Sequence, residues 1–215
     1  MRHADASSFP GLILWAANVR GPRVAPGAYQ VRLTAGGQTQ TERFEVKPDP
    51  RLSTSPADFA RQLELLLRIR DKLTETHDAI KQIREARRQI EQVSERVKDR
   101  ADAKSLVEAA DALGKKLTAV EEELYQTKLR SGQDPLNYPI KLNNKLAALG
   151  GVVASADAAP TAQSFALFEE LNGRIDAQLQ TLRQILRTDL QAFNRLVREQ
   201  NVPAVVVKGV EEARR

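Results

Sequence analysis

The sequence predicts a mainly α protein: an elongated antiparallel bundle of three helical rods, the middle rod broken, with a small N-terminal β-hairpin. Three observations lead there. Apolar residues recur at three–four spacing through most of residues 55–200, and over residues 57–100 no Pro or Gly interrupts them. Residues 26–46 instead alternate apolar and polar around a Gly-Gly pair. A stripe at helical spacing must be buried against a matching stripe, whereas alternation at period two is the mark of a strand.

At the N-terminal end, Leu12-Ile13-Leu14-Trp15 is a short apolar run, and Gly21-Pro22 and Pro26-Gly27 punctuate turns. Tyr29, Val31 and Leu33 alternate with Gln30, Arg32 and Thr34. Gly36-Gly37 fits a two-residue hairpin turn, after which Phe44 and Val46 flank Glu45. The expectation is a hairpin plus one strand. Three strands with one apolar face bury too little area to stand alone, so something else must cover them.

Pro48-Asp49-Pro50 ends the strands, and Ser55 then reads as an N-cap with Pro56 at the first helical position and Asp58 in the first turn. The seam of this long helix runs Leu66, Ile69, Leu73, Thr76, Ile80, Ile83, Arg87, Ile90, Ser94 and Val97, with Phe59 and Leu63 leading in. A rod of that length, roughly 65 Å at ~1.5 Å per residue, needs partners equally long. The second helix, expected over residues 103–130, resumes the seam with Leu106, Ala110, Leu113, Leu117, Val120, Leu124 and Thr127. Residues 131–139 break it. Ile140 to Ala154 restarts it, so the two pieces form one interrupted rod.

Thr161 reads as the N-cap of a last helix that carries Phe168, Leu171, Ile175, Leu179, Leu182, Leu186, Leu190, Phe193 and Val197 and stops before Pro203. The spacing drifts toward 3.6–3.7, which predicts a straighter helix than the first. Ala204-Val205-Val206-Val207 is a β-prone run that must pack or pair with a strand edge. The chain thus divides into a β segment at 1–50, a helical bundle at 51–202 and a tail at 203–215.

Composition narrows the chemistry. There is no Cys among the 215 residues, which excludes disulfides and thiolate chemistry. Aromatics make up only 5%, which favours helical seams over a thick globular core. The net charge of +5 raises nucleic acid as a partner, but the surplus base lies mostly in residues 1–54 and the helices are close to neutral with interspersed signs, the pattern of a solvated face. Neither nucleic acid nor membrane insertion is expected, since no apolar run approaches ~18–20 residues. The first residues lack the apolar core of a signal peptide.

No catalytic, cofactor-binding or metal-ligating residue is nominated, and no cofactor is expected. His3 and His77 are the whole supply of imidazole. His77 lies beside the long seam with no second ligand at helical spacing, so it reads as a packed or rim histidine. Glu121-Glu122-Glu123 and Glu169-Glu170 point around their helices rather than converging, and read as solvated faces. The basic clusters are Arg84, Arg87 and Arg88, Lys115-Lys116, and Arg214-Arg215; no aromatic lies between Phe59 and Tyr125 to stack on bases. The glycine pairs follow no nucleotide-binding pattern.

The unusual break at 131–139 is the one candidate site. Its structural reading has Asn137 capping the next helix, Pro139 in the first turn and Tyr138 plugging the gap between helices. Its functional reading is an interaction loop made of Asp134, Pro135, Asn137 and Tyr138 together with Asn143 and Asn144.

Residues 26–33, the Gly-Gly turn and Phe44-Glu-Val46 resemble the last two strands of an immunoglobulin-like sandwich, which makes the β segment a partial Ig-like sheet lacking its earlier strands. A wider resemblance runs through Phe9-Pro-Gly-Leu-Ile-Leu-Trp15, Arg20-Gly-Pro22, Ala25-Pro-Gly-Ala-Tyr-Gln-Val-Arg-Leu-Thr34, Asp49-Pro-Arg51 and Asp134-Pro-Leu-Asn-Tyr-Pro-Ile-Lys-Leu-Asn-Asn-Lys-Leu-Ala-Ala-Leu149. These phrases resemble the C-terminal region of bacterial BNR-repeat, sortilin-like proteins often labelled glycosyl hydrolases.

The resemblance implies a tail behind a β-propeller in a larger, usually periplasmic or secreted, protein. The Asp-box signature and the propeller carboxylates and arginines of true hydrolases are absent here, so no catalytic residue carries over. The expected function is a non-catalytic structural or interaction module whose partner is the propeller and Ig-like remainder of a parent protein. The alternatives are a stand-alone helical adaptor that homodimerises and an accessory part of a glycoside hydrolase.

Overall fold

The computed structural model describes residues 1–100 and 102–202. It is mainly helical, with a small two-stranded antiparallel sheet near the N-terminus. Strands β1 (Gly27–Ala35) and β2 (Gln38–Val46) pair from Gly27↔Val46 to Ala35↔Gln38. The turn between them holds Gly36 and Gly37 at φ +56° and +78°, the left-handed backbone that a two-residue hairpin needs and that glycine adopts without strain. Leu12–Trp15, expected as a further strand, forms none. Its backbone pairs with side chains of the bundle instead, as described below.

Helix α1 (Pro56–Val97) starts as the sequence dictates, with the Ser55 hydroxyl accepting from the Asp58 N–H at 3.2 Å and Pro56 at the first position. It runs 42 residues, about 63 Å at ~1.5 Å per residue. Helices α2 (Lys104–Leu124) and α3 (Leu142–Val153) return along it as two pieces of one rod. Helix α4 (Ala162–Gln184), capped by Thr161, runs back beside α1 and continues through a π-helical turn at Ile185–Asp189 into α5 (Leu190–Glu199). The order of contacts fixes the register. Gln62 near the start of α1 donates to the carbonyls of Val153 and Ala156 at the end of α3, and Arg100 beyond the end of α1 donates to Gln200 beyond α5.

The expected seams are buried, but α1 buries more than one seam. Leu65, Ala79, Ala86 and Val93 are buried alongside Ile69, Leu73, Ile80, Ile83, Ile90 and Val97, while Leu63, Leu66, Arg87 and Ser94 are only partly covered. The cause is position: α1 packs against α2 and α3 on one side and α4 on another, so its apolar stripe must be wider than a single coiled-coil seam. Helix α2 stops at Leu124 rather than near 130, because Tyr125 is extended (φ −138°, ψ 143°) and turns the chain out of the rod.

The last rod is one continuous helical path, but the π turn puts both Ile185 and Leu186 in the core. That turn absorbs the rotation which a plain helix would lose against the seam. The β-prone run Ala204–Val207 lies outside the described residues. Because Ala86 is fully buried where α1 is tightly enclosed, Ala86→Leu should lower the unfolding free energy by about 1–3 kcal/mol in urea titration.

Candidate functional site

The break in the middle rod leaves α1 uncovered between its contacts with α2 and with α3. Residues 1–26 form a strap whose stretch 7–15 fills that notch. The strap is held in its own shape by main-chain bonds from His3 to Pro22, from Ala6 to Val19 and from Val24 to Met1. Gly21 is required for this closure: a Cβ there would stand 2.0 Å from the His3 carbonyl oxygen.

Helix side chains capture the strap chiefly by its backbone. Asn144 on α3 grips Trp15 at both ends, its Oδ1 accepting the N–H at 2.7 Å and its Nδ2 donating to the carbonyl at 2.9 Å. The Tyr125 hydroxyl accepts from the Ile13 N–H at 3.3 Å and donates to the Gly11 carbonyl at 3.0 Å. Arg84 donates to Pro10 and Arg70 to Ala4. Ser7 is bound most completely: its N–H donates to Thr74, its hydroxyl donates to Asp78 and accepts from Lys81, and its carbonyl accepts from His77 Nδ1 at 2.5 Å.

Phe9 is the apolar plug. It is buried, edge-on to the rings of His77 and Tyr125 at 5.1 and 5.2 Å, with the Arg84 guanidinium 4.6 Å over its face. Arg84 is itself fixed from below by Glu121, whose carboxylate takes Arg84 Nε at 2.7 Å and Arg87 at 2.8 Å. Glu121 is only 2% exposed, so the reading of Glu121 as part of a solvated face is corrected; Glu122 and Glu123 are exposed. Adjacent carboxylates do point around a helix, and one of the three points inward at two arginines.

His77 is fully buried. With Nδ1 committed as donor to a carbonyl, Nε2 is left as acceptor and receives Asn143 Nδ2 at 3.2 Å, which defines a neutral ring. Burial pushes its pKa below the ordinary 6.5, against the Ser7 carbonyl and Asp78, which pull the other way. The second polar atom of Asn143, Oδ1, is buried with no hydrogen-bond partner among the described residues.

The candidate loop divides. Asn143 and Asn144 are buried in the notch and bound to His77 and Trp15, well inside the molecule. Asn137 and Tyr138 are exposed, Pro135 is half-buried, and Asp134 organises the turn, accepting the N–H groups of Arg130 and Ser131, which hold its carboxyl below the usual carboxylate range. Asn137 does not cap α3, whose N-cap is Lys141, and Tyr138 stands outside the helix gap with Lys128 beside its ring. The plug comes from the strap instead. Tyr125, the first aromatic after Phe59 and placed where α2 ends, was the sequence signal for it.

The hairpin is the other exceptional surface. Tyr29, Val31, Leu33, Phe44 and Val46 share one face by register, and the Tyr29 and Phe44 rings stack at 6.0 Å. Yet Val31 is 53%, Leu33 66% and Phe44 36% exposed, and among the described residues no further strand pairs with either edge. Among the described residues no three His, Asp or Glu side chains gather to hold a metal, and no helix is long and apolar enough to cross a membrane. No family model, curated protein or solved structure matches the chain.

Two outcomes follow from the notch. Glu121→Ala leaves Arg84 and Arg87, each about a third exposed, without their carboxylate, so it should cost about 1–3 kcal/mol of stability by chemical denaturation. The unfolded chain binds a proton on residue 77 more readily than the folded one, so the stability that His77 contributes above its unfolded pKa is lost as pH falls below it. Wild-type melting temperature should therefore drop between about pH 7.5 and 5.5, and His77→Gln should flatten that drop.

Proposed function

We propose that the chain is a non-catalytic structural and interaction module, in which a rigid helical rod carries an amphipathic hairpin that completes the β-sheet of a partner. The observation that carries this reading is the hairpin face: Val31, Leu33 and Phe44 alternate as residues destined for burial, and among the described residues nothing covers them. A free two-stranded hairpin is marginally stable, and exposed edges of this kind are templates for pairing with another strand.

The partner that fits is an immunoglobulin-like sheet lacking its last strands, within a BNR-repeat, sortilin-like parent of which this chain is the C-terminal scaffold. The sequence phrases from Phe9 to Trp15 and from Ala25 to Thr34 support that parentage, and they coincide with the parts that latch and present the hairpin. The same face gives a second reading, a homodimer closed hairpin to hairpin, because its apolar and strand-edge groups suit a second copy equally.

A photo-crosslinking residue in place of Leu33, introduced in source cells, separates these outcomes. A conjugate with a β-sandwich or propeller polypeptide, not formed from Gln30 on the opposite face, is expected. Conjugates only with the chain itself would support the dimer, and equal labelling from both positions would overturn the hairpin as the contact. Val31→Thr with Leu33→Thr should leave the melting temperature within about 1–2 °C of wild type, since exposed substitutions shift stability by under about 0.5 kcal/mol, while abolishing the conjugate formed from position 44.

A further inference from the structure

Beneath the strap, next to the hairpin's root, a cleft of about 430 Å³ lies apart from the notch and meets the hairpin face only at Val46. That volume falls within the range of small-molecule sites. Its floor is apolar: Phe59, Leu63, Leu66 and Ile69 of α1. Leu63 and Leu66 are only partly covered there, although both stand on the expected seam. Across from them stand Ala147, Gly150 and Gly151 of α3 and Ala154 at its C-cap, whose small size keeps the cleft open.

The rim has the opposite character. Arg2, Arg20, Arg23, Lys47 and Arg70 line it, against the carboxylates of Asp49 and Asp157. Asp49 is already engaged by Arg51 at 2.6 Å, and Arg2 and Arg70 donate to strap carbonyls. Arg20 and Arg23 form no ion pair among the described residues and are exposed on the strap; Asp157 forms none either, but the five basic side chains on the rim outnumber its two carboxylates. Two uncommitted guanidinium groups above an apolar floor select one kind of guest. A neutral apolar molecule would leave the charges unused, and a cation would meet repulsion.

We infer that this cleft is a binding site for a small amphipathic anion, an apolar chain or ring system bearing one anionic head, with the body on Leu63 and Leu66 and the head toward Arg20 and Arg23. The inference stands apart from the hairpin reading, because a guest in this cleft requires no protein partner.

The test is calorimetric titration of the full chain with four probes of one tail length, each below its micelle concentration: decanoate, decyl sulfate, decanol and decyltrimethylammonium. The two anions should bind at one per chain, decanol about tenfold more weakly and the cation not measurably. Gly151→Phe should abolish binding, with an unchanged far-UV spectrum and melting temperature as the control for folding; a Cβ at position 151 meets no atom within 4 Å. Arg20→Glu with Arg23→Glu should weaken the anions about tenfold and leave decanol unchanged. Leu33→Thr on the hairpin should alter nothing.

Equal affinity for decanol and decanoate would overturn the inference, as would binding that survives Gly151→Phe or is lost with Leu33→Thr. Binding confined to vesicles of an anionic phospholipid, with no uptake of the free anions, would overturn it in favour of a membrane surface.

Discussion

The architecture depends on one buried contact set, the Phe9 plug between His77, Tyr125 and Arg84 with Glu121 beneath. A rod interrupted in its middle leaves the facing stretch of the long helix without a partner, and α1 there carries Thr76 and His77 rather than aliphatic residues. The strap answers both needs at once. Phe9 supplies the missing apolar volume, and the carbonyl of Ser7 satisfies the imidazole. Because the arginine that stacks on Phe9 is also the one held by Glu121, the charge pair and the plug support each other. Such an arrangement is cooperative: loosening any member exposes polar atoms that the others had satisfied.

The strap also sets what the rest of the N-terminal region can do. Asn144 and Tyr125 bind main-chain groups of Gly11, Ile13 and Trp15, so the course of the strap is fixed by backbone geometry more than by its side chains. Having crossed the notch, it doubles back through Gly21 and delivers the chain to the hairpin. Among the described residues the hairpin makes its own pairing and little else, and its apolar face is left uncovered by them.

Much of this was legible in the residues. Ser55-Pro56 with Asp58, the seam from Ile69 to Val97, the cap at Thr161 and the Gly36-Gly37 turn all act over a few positions, and the structure keeps them. The strap was not legible. Ser7 to His77, Ile13 to Tyr125 and Trp15 to Asn144 are contacts across long stretches of chain, and no periodicity records them. Leu12 to Trp15 looked like a strand because an extended apolar run has the same composition whether it pairs with backbone or with asparagine and tyrosine side chains. Glu121 was misread for a related reason: its two neighbours are exposed, and only the arginines on another helix distinguish it. Asn143 and Asn144 stood in the candidate loop by sequence proximity, and the helical turn that begins at Leu142 carries them inward.

The unbroken length of α1 has a consequence for whatever flanks the bundle. The hairpin leaves near its first turn, and α5 ends beside Arg100, beyond its last. The two exits are therefore held about 60 Å apart by 42 residues of continuous helix, at ~1.5 Å each. Partners attached at the two ends would be kept from touching and from drifting closer, so the module would act as a ruler, its setting written in the number of residues between Pro56 and Val97.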